Sequence, residues 1–476
     1  MKTNTDKNIK AIHKKKKKIH LVAACGTGMG TLACILKEMG YEVSGSDQNV
    51  YPPMSDFLKE KGIKLFKGYD PGNLDHNPDL VIIGNVITKE NIEAKAVMQK
   101  GFKYLSMPQA VNRFIAKDKK IILVTGTHGK TTTASIMAHM LYVAGMDPSF
   151  MIGGILKDFN SSFRIGKGQY MVIEGDEYDT AFFDKGPKFM HYDPDITIIT
   201  GIEFDHADIF TDIDHIKQIF VDFIKKIEKT SHIIAYDDND NLNEVLKISC
   251  PDSLEKYGKL AQWSFSNYKQ QDSKAYFDVH GLNKIYPIQT NILGEHNINN
   301  CLACLAVANK IGIGYDNILN ALKTFSGIKR RQEIRGIKNG ITIMDDFAHH
   351  PTAVRETING IKPFYKKGRI IAVFEPRTNT SMRKFFQDIY PDSFLSADIV
   401  CVCKPQIKKN IPLKDKFSTK QLVMDIEKKG IKAYHFESSS KVISFLVPKL
   451  KSGDLVLIMS NGGFDDIHLK LLENIE

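Results

Sequence analysis

Residues 122–141 read ILVTGTHGKTTTASIMAHML, and no other stretch restricts the fold as tightly. An apolar strand runs through Gly126 to Gly129 and straight into a helix opened by Lys130, Thr131 and Thr132. A buried strand that turns through glycines into a helix N-terminus belongs to a parallel α/β sheet. Its backbone N–H groups converge on an anion at the sheet's carboxyl edge. Lys130 is spaced to reach the terminal phosphates of a nucleotide, and the Thr131 hydroxyl to ligate Mg²⁺. The general phosphate-loop pattern has a glycine at position 124, where this chain has Val124, so the match is to a shortened G-T-x-G-K-T-T form. We therefore expect Gly126, Thr127, His128, Gly129, Lys130, Thr131 and Thr132 to bind ATP.

Two later strand ends supply what such a site needs. VIEGDEYD puts Glu174 at the end of a buried strand, and GIEFDHADIF puts Asp205 and His206 at the end of the next. Carboxylates and an imidazole beside a triphosphate suit one or two divalent ions. In GEHNINN, residues 294–300, His296 and Asn297 either cap the following helix or face a nucleotide base.

A second glycine turn lies upstream, in HLVAACGTGMGTLA at residues 20–33, with Ser46 and Asp47 following in GSD. Gly26, Gly28 and Gly30 have G-x-G-x-G spacing, and Thr31 stands where the dinucleotide fingerprint has its last glycine. A nicotinamide-dependent oxidoreductase would also leave residues 126–132 without a use. The turn still presents N–H groups at a helix N-terminus, so a phosphate remains its expected ligand.

Strand–helix alternation divides the chain into three α/β segments: 1–118, 119–327 and 328–476. No run of about 18 apolar residues is present, which argues against a membrane span. The polar N-terminus lacks a signal peptide's apolar core, so a cytoplasmic protein is expected. The net charge of +10 owes much to HKKKKKIH at 13–20, read as a solvated lead-in. Bases elsewhere are not interleaved with aromatics, so nucleic acid is not an expected partner. Seven scattered cysteines make no disulfide framework. Cys301 and Cys304 lie in an apolar helix and are expected to be core, and Cys401 and Cys403 share a face of a buried strand.

Taken in order, GTGMG, GTHGKTT, EGDE, EFDHAD, GEHNINN, RRQEIRG, DDFAHHP and SNGG resemble the motifs of the Mur ligases, the ATP-dependent amide-forming enzymes of peptidoglycan synthesis. The resemblance implies a Rossmann-like UDP-binding domain, a central phosphate-loop ATPase domain and a Rossmann-like C-terminal domain. DDFAHHP resembles the branch that uses UDP-N-acetylmuramate. Within it, GSDQNVYPPMS, DEYDTAFFDKGPKFMHY, EFDHADIF, FEPRTNT and IMSNGGF are similar to the member that adds the recovered tripeptide L-alanyl-γ-D-glutamyl-meso-diaminopimelate. The member that adds L-alanine is the alternative; an oxidoreductase and a non-catalytic nucleotide-binding regulator are remote ones.

By that resemblance, Lys130 stabilises the migrating phosphoryl group, Thr131 and Glu174 hold one Mg²⁺, and His206 ligates a second. His296, Asn297 and Asn300 surround the adenine, Arg331 reaches the phosphates, and Asp346 reads the ribose. His349 and His350 face the reaction centre. Gly26, Thr27, Gly28, Met29 and Gly30 cradle the UDP pyrophosphate, with Ser46 and Asp47 near the uridine. Arg377, Asn379 and Thr380 are expected to meet the peptide. The chain departs from the family where Gly175 stands for alanine, Gly201 for asparagine, and Asp465 and Asp466 for glycines. Lys185 is left without an assigned role, and the oligomeric state is not legible.

Overall fold

The structure is a computed structural model that describes residues 17–50, 54–207, 209–271, 274–281, 284–405, 411–412 and 415–475. Residues 13–16 of the lysine run therefore lie outside the described residues. The chain forms two compact units: residues up to Lys117 together with Asp179–Gly186, and Asp118–Tyr178 together with Pro187 onward.

The first unit is built on a five-stranded parallel sheet. Its strands run in the order Lys64–Lys67, Glu42–Asp47, Lys18–Val22, Leu80–Ile83, Tyr104–Ser106. The middle strands are almost continuously apolar, as a sheet covered on both faces requires. A hairpin from residues 179–187 is also part of this unit, up to Gly186. Phe183 meets Tyr104 edge-on at 4.9 Å, and Ser106 Oγ donates to Asp184 Oδ2 at 3.0 Å. Lys185, in the hairpin's second strand, is exposed and lies 3.6 Å from Asp179.

A seven-stranded sheet organises the second unit. Its central strand Lys120–Thr125 lies between Ile196–Ile199 and Tyr170–Gly175, all parallel. The loops after these three neighbours hold residues 126–129, 176–178 and 200–207, so one edge gathers the phosphate loop and both acidic motifs. The helix Lys130–Val143 is buried on nearly every face, its Thr131, Thr133, Ser135 and His139 included. It packs on the sheet and on the helices Glu295–Lys310 and Tyr315–Thr324. Cys301 and Cys304 are free thiols in this core, and Cys304 donates to Thr133 O at 3.3 Å. A three-stranded antiparallel sheet, Ser264–Gln271, Lys274–Gly281 and Lys284–Thr290, adds an element that strand–helix alternation did not anticipate.

The C-terminal sheet has six strands, ordered Glu333–Lys338, Ile341–Asp346, Leu455–Met459, Ile370–Phe374, Ile399–Cys403, Lys432–Phe436, with only the first antiparallel. Cys401 and Cys403 are buried in its core. After Leu455–Met459 the backbone turns left-handed at three successive non-glycine residues, Phe464 (φ 47°), Asp465 (φ 51°) and Asp466 (φ 52°). Glycine takes this conformation without the Cβ penalty, so the two departures from the family pattern fall where side chains are strained. Asp465 recovers part of the cost by accepting from Ser439 Oγ at 3.1 Å, whereas Asp466 makes no side-chain cap bond. Asp466→Gly is expected to raise stability by about 0.5–1 kcal/mol in urea unfolding, and Asp465→Gly by less. A loss of stability in Asp466→Gly would contradict this account.

Candidate active site

Two glycines of the phosphate loop are fixed by contact as well as by conformation. Gly126 has φ +114°, and a Cβ there would lie 2.6 Å from Thr200 Oγ1 and 2.7 Å from Gly201 O. Gly129 has φ +80°, and its Cβ would lie 2.6 Å from Asn300 Oδ1. The loop is tied down by Thr127 N donating to Gly201 O (2.9 Å) and Glu203 N to Thr127 Oγ1 (2.8 Å). Gly201 itself has φ +121° and faces Asn239, whose Oδ1 accepts from Ile202 N at 3.1 Å. An amide thus stands beside the position where the family often has asparagine.

Lys130 Nζ donates to Gly126 O at 2.6 Å and to both oxygens of Glu177, at 3.0 and 2.8 Å. Burial works against its charge, but the Glu177 and Asp176 carboxylates outweigh it and raise the lysine's pKa. Thr131 Oγ1 donates to Glu174 Oε2 at 3.1 Å, and Gly153 N to Glu174 Oε1 at 2.7 Å. Burial, with Asp176 nearby, pushes the Glu174 carboxyl up to about 7. Burial also acts to raise Asp176, yet Lys188 (3.0 Å) and Lys130 hold it below its ordinary value. Thr132 lies half-buried on the same helix turn. Within EGDE the sequence points to Glu174, and nothing local marks Glu177 as the partner of Lys130.

The C-terminal segment reaches the same edge. Arg331 sits between two left-handed residues, Arg330 (φ 62°) and Gln332 (φ 46°), with its guanidinium 4.8 Å from the Phe347 ring centroid. Its charge acts on both Asp346 and Glu174. Both Asp346 oxygens are engaged, accepting from Gln332 N and Ala348 N at 2.8 Å each. The expected ribose reader therefore also clamps the turn that carries Arg331. His349 Nδ1 donates to Phe347 O at 3.0 Å, leaving Nε2 4.0 Å from Asp205 Oδ2. Burial lowers the pKa of His349, and the neighbouring imidazoles outweigh burial to lower that of Asp205. His206 takes φ +55° and lies 5.6 Å, ring to ring, from Tyr178. Burial also brings His350 down to about 3.

Asn297 and Asn300 act as struts rather than as free amides. Asn297 Nδ2 donates to Leu293 O (2.8 Å), Asn300 Nδ2 to Asn297 Oδ1 (3.1 Å), and Thr133 Oγ1 to Asn300 Oδ1 (3.1 Å). The helix N-cap is Gly294, with no side-chain cap, so neither His296 nor Asn297 caps it. His296 keeps Nδ1 without a hydrogen-bond partner, and burial lowers its pKa to about 4. Among the expected peptide-binding residues, Arg377 lies 3.7 Å from Glu375 and stacks over Gly462, where a Cβ would meet its Cδ at 2.4 Å. Thr380 is buried, and its hydroxyl accepts from Ala207 N at 3.1 Å. Asn379 is half-buried.

In the first unit, Gly26 is the N-cap of the helix Thr27–Glu38, and a Cβ there would meet nothing within 4 Å. Gly30 is crowded, with its Cβ site 2.6 Å from Met54 Sδ, while Gly28 touches Met107 and Met29 is buried. Asp47 accepts from Cys25 N (2.9 Å) and Asn49 N (2.9 Å), which fixes the turn. Ser46 is fully buried and donates to Glu93 Oε1 at 2.7 Å. Its hydroxyl is turned into the protein, where it helps hold an acid that also accepts from His20 and Asn73. Ser46, expected near the uridine, therefore has its hydroxyl committed within the protein.

The sequence and the fold have counterparts in known proteins. The Mur ligase family catalytic domain matches residues 18–119, the Mur ligase middle domain 124–308, and the Mur ligase glutamate ligase domain 330–462. A UDP-N-acetylmuramate–L-alanyl-γ-D-glutamyl-meso-2,6-diaminoheptandioate ligase of Escherichia coli is 38% identical over 462 residues, covering 96% of this chain and 98% of its own. A UDP-N-acetylmuramate–L-alanine ligase of Clostridium tetani is 32% identical over 452 residues, covering 94% and 96%. The crystal structure of a murein peptide ligase from Psychrobacter arcticus superimposes with a TM-score of 0.71 at 32% identity, covering 96% and 98%. Among the described residues no helix is long and apolar enough to cross a membrane. With three family domains in order and such identity over nearly its whole length, the chain belongs to the Mur ligase family.

Proposed function

We propose that this ligase joins UDP-N-acetylmuramate to L-alanyl-γ-D-glutamyl-meso-diaminopimelate, with ATP as the energy source. The observation that carries the reading is the strand-edge cluster of Lys130, Thr131, Glu174 and Arg331, set in a chain whose 38% relative carries that substrate pair in its name. Residues 1–118 would hold the UDP-sugar, 119–327 the ATP, and 328–476 the peptide. A cytoplasmic reaction would suit these nucleotide substrates.

The lactyl carboxylate attacks the γ-phosphorus of ATP, ADP leaves, and a mixed acyl phosphate forms. The alanyl amine then attacks the acyl carbon, loses a proton, and phosphate departs as the amide bond closes. A carboxylate is a poor electrophile, so the phosphoryl group supplies the leaving group, and the protein's work is positioning and charge neutralisation. Lys130 leaves Glu177 to meet the γ-phosphoryl oxygens, and Arg331 adds a second cation. The N–H groups of Gly126 to Gly129 hold the bridging phosphates. His349 Nε2 is suited to receive the amine proton, because burial keeps the ring neutral and Nδ1 is already committed to Phe347 O.

Thr131 and Glu174 fit a Mg²⁺ ion. A hydroxyl and a carboxylate lie 3.1 Å apart, and burial raises the carboxyl despite the nearby Lys130 and Arg331 charges, so a cation bound there would favour its charged form. Mg²⁺ there would neutralise β- and γ-phosphate charge, and His206 would hold a second ion near the acceptor carboxylate.

The test is phosphate release from ATP with UDP-N-acetylmuramate plus either the tripeptide or L-alanine. Turnover with the tripeptide is expected; turnover with alanine alone would overturn the substrate, and none with either would overturn the ligase reading. Arg377 is exposed enough to take a substrate carboxylate as a bidentate pair. Arg377→Ala is expected to raise KM for the tripeptide about 10–100-fold, the cost of one charged hydrogen-bonded pair, and to leave KM for ATP unchanged.

A further inference from the structure

We infer that His128, Glu203 and His350 form a zinc site that joins the phosphate loop to the C-terminal segment. The three come from distant parts of the chain, yet one ligand atom from each lies within 4.8 Å of the other two. His128 Nε2 is 3.4 Å from Glu203 Oε2, and His350 Nδ1 is 3.8 Å from the same oxygen. Ligands about 2.0–2.1 Å from a tetrahedral Zn²⁺ are about 3.3 Å apart along an edge, so only small side-chain shifts separate this arrangement from coordination. Two imidazoles and a carboxylate occupy three positions and leave the fourth for water, the donor set of an open zinc site rather than of Mg²⁺.

The surroundings are those of a metal ligand set. Thr352 N donates to His350 Nδ1 at 3.2 Å, so that nitrogen carries no proton and Nε2 donates to Phe204 O at 3.3 Å. A ligating histidine is usually oriented in this way, its second nitrogen committed to a backbone carbonyl. Glu203 is oriented in turn by Thr352 Oγ1, which donates to Oε2 at 2.7 Å. His128 Nε2 is buried with no well-aligned hydrogen-bond partner, its contact with Glu203 Oε2 being 3.4 Å long. Coordination would give it one, at the cost of the long Thr352 N–H bond to His350. The site is distinct from the Thr131–Glu174 pair; because His128 and His350 are also expected at the ATP and the reaction centre, the test is made without substrates.

The test uses the full chain in metal-free buffer with Zn²⁺ alone, titrated against a chromophoric chelator, and Co²⁺ as a spectroscopic probe. One tight Zn²⁺ per chain is expected, with the intense visible bands of tetrahedral Co²⁺ and a melting temperature that rises with Zn²⁺. Glu203→Gln and His128→Asn should each weaken binding at least tenfold, and His350→Gln likewise. Cys250→Ser, which removes an exposed thiol, should change nothing. Affinity unmoved by all three ligand substitutions, or a weak octahedral Co²⁺ spectrum, would overturn the site. If any one variant fails to fold, the other two decide.

Discussion

Replacing Lys130 with methionine is expected to lower phosphate release at least about 10³-fold, because the variant loses the cation that meets the developing γ-phosphoryl charge in a water-poor site. The same substitution also acts on the fold. Glu177 is 5% exposed and receives both of its short contacts from Lys130, so methionine leaves a buried carboxylate unpaired. Removing one partner of such a pair costs about 3 kcal/mol. A second substitution separates the two effects. Glu177→Gln in the Lys130→Met background removes the stranded charge and is expected to restore most of the melting temperature while phosphate release stays absent. Recovery of both together would mean that Lys130 matters only for stability. UDP-sugar binding, followed by calorimetry, should be unchanged throughout, since Gly26 and Asp47 belong to the other compact unit.

Lys130, Thr131 and Glu174 were legible in the sequence because their chemistry is announced locally, by a strand that ends in glycines or in an acid. Their partners were not. Glu177 meets Lys130 across 47 positions, and Glu203 meets Thr352 across 149. Pairings of that separation are set by which strands neighbour one another in the sheet, and strand order is not written in any single segment. The same limit explains Ser46. Its place after an apolar strand suggests a ligand contact, but the acid that captures its hydroxyl arrives on a helix 47 residues later. The antiparallel strands at 264–290 did carry a local signal, the alternate burial along Lys274–Gly281, which a strand–helix expectation passes over. Nothing local marks the hairpin at 179–186 as part of the first unit, where Phe183 finds Tyr104. The glycines at 126 and 129 could be read as a phosphate cradle, but their close approaches to Thr200 and Asn300 needed the assembled sheet.

Glu174 is expected to make the enzyme's Mg²⁺ dependence a function of pH near neutrality. Burial pushes its carboxyl up to about 7, so below that pH the folded protein holds a proton where the cation must bind. Mg²⁺ must displace this proton, and its apparent affinity should fall up to about tenfold per unit as pH drops below 7, then level off above it. Stability without the cation runs the other way. The unfolded chain releases this proton near the ordinary carboxylate value of 4.5, the folded chain near 7. The stability contributed by the protonated form is therefore lost as pH rises through that window. Glu174→Gln removes the charge and the titration together. It should bind Mg²⁺–ATP weakly at every pH, show no pH dependence in what binding remains, and release phosphate about 10²–10³-fold more slowly, as when one preorganised electrostatic contact is lost. Because the glutamine Oε1 still accepts from Gly153 N and its amide NH2 can donate to Thr131 Oγ1, the fold should survive, and thermal unfolding at pH 6 should match the parent chain. A steep pH profile retained in Glu174→Gln would move the metal-linked proton to another group, with His206, the expected ligand of the second ion, the first to substitute.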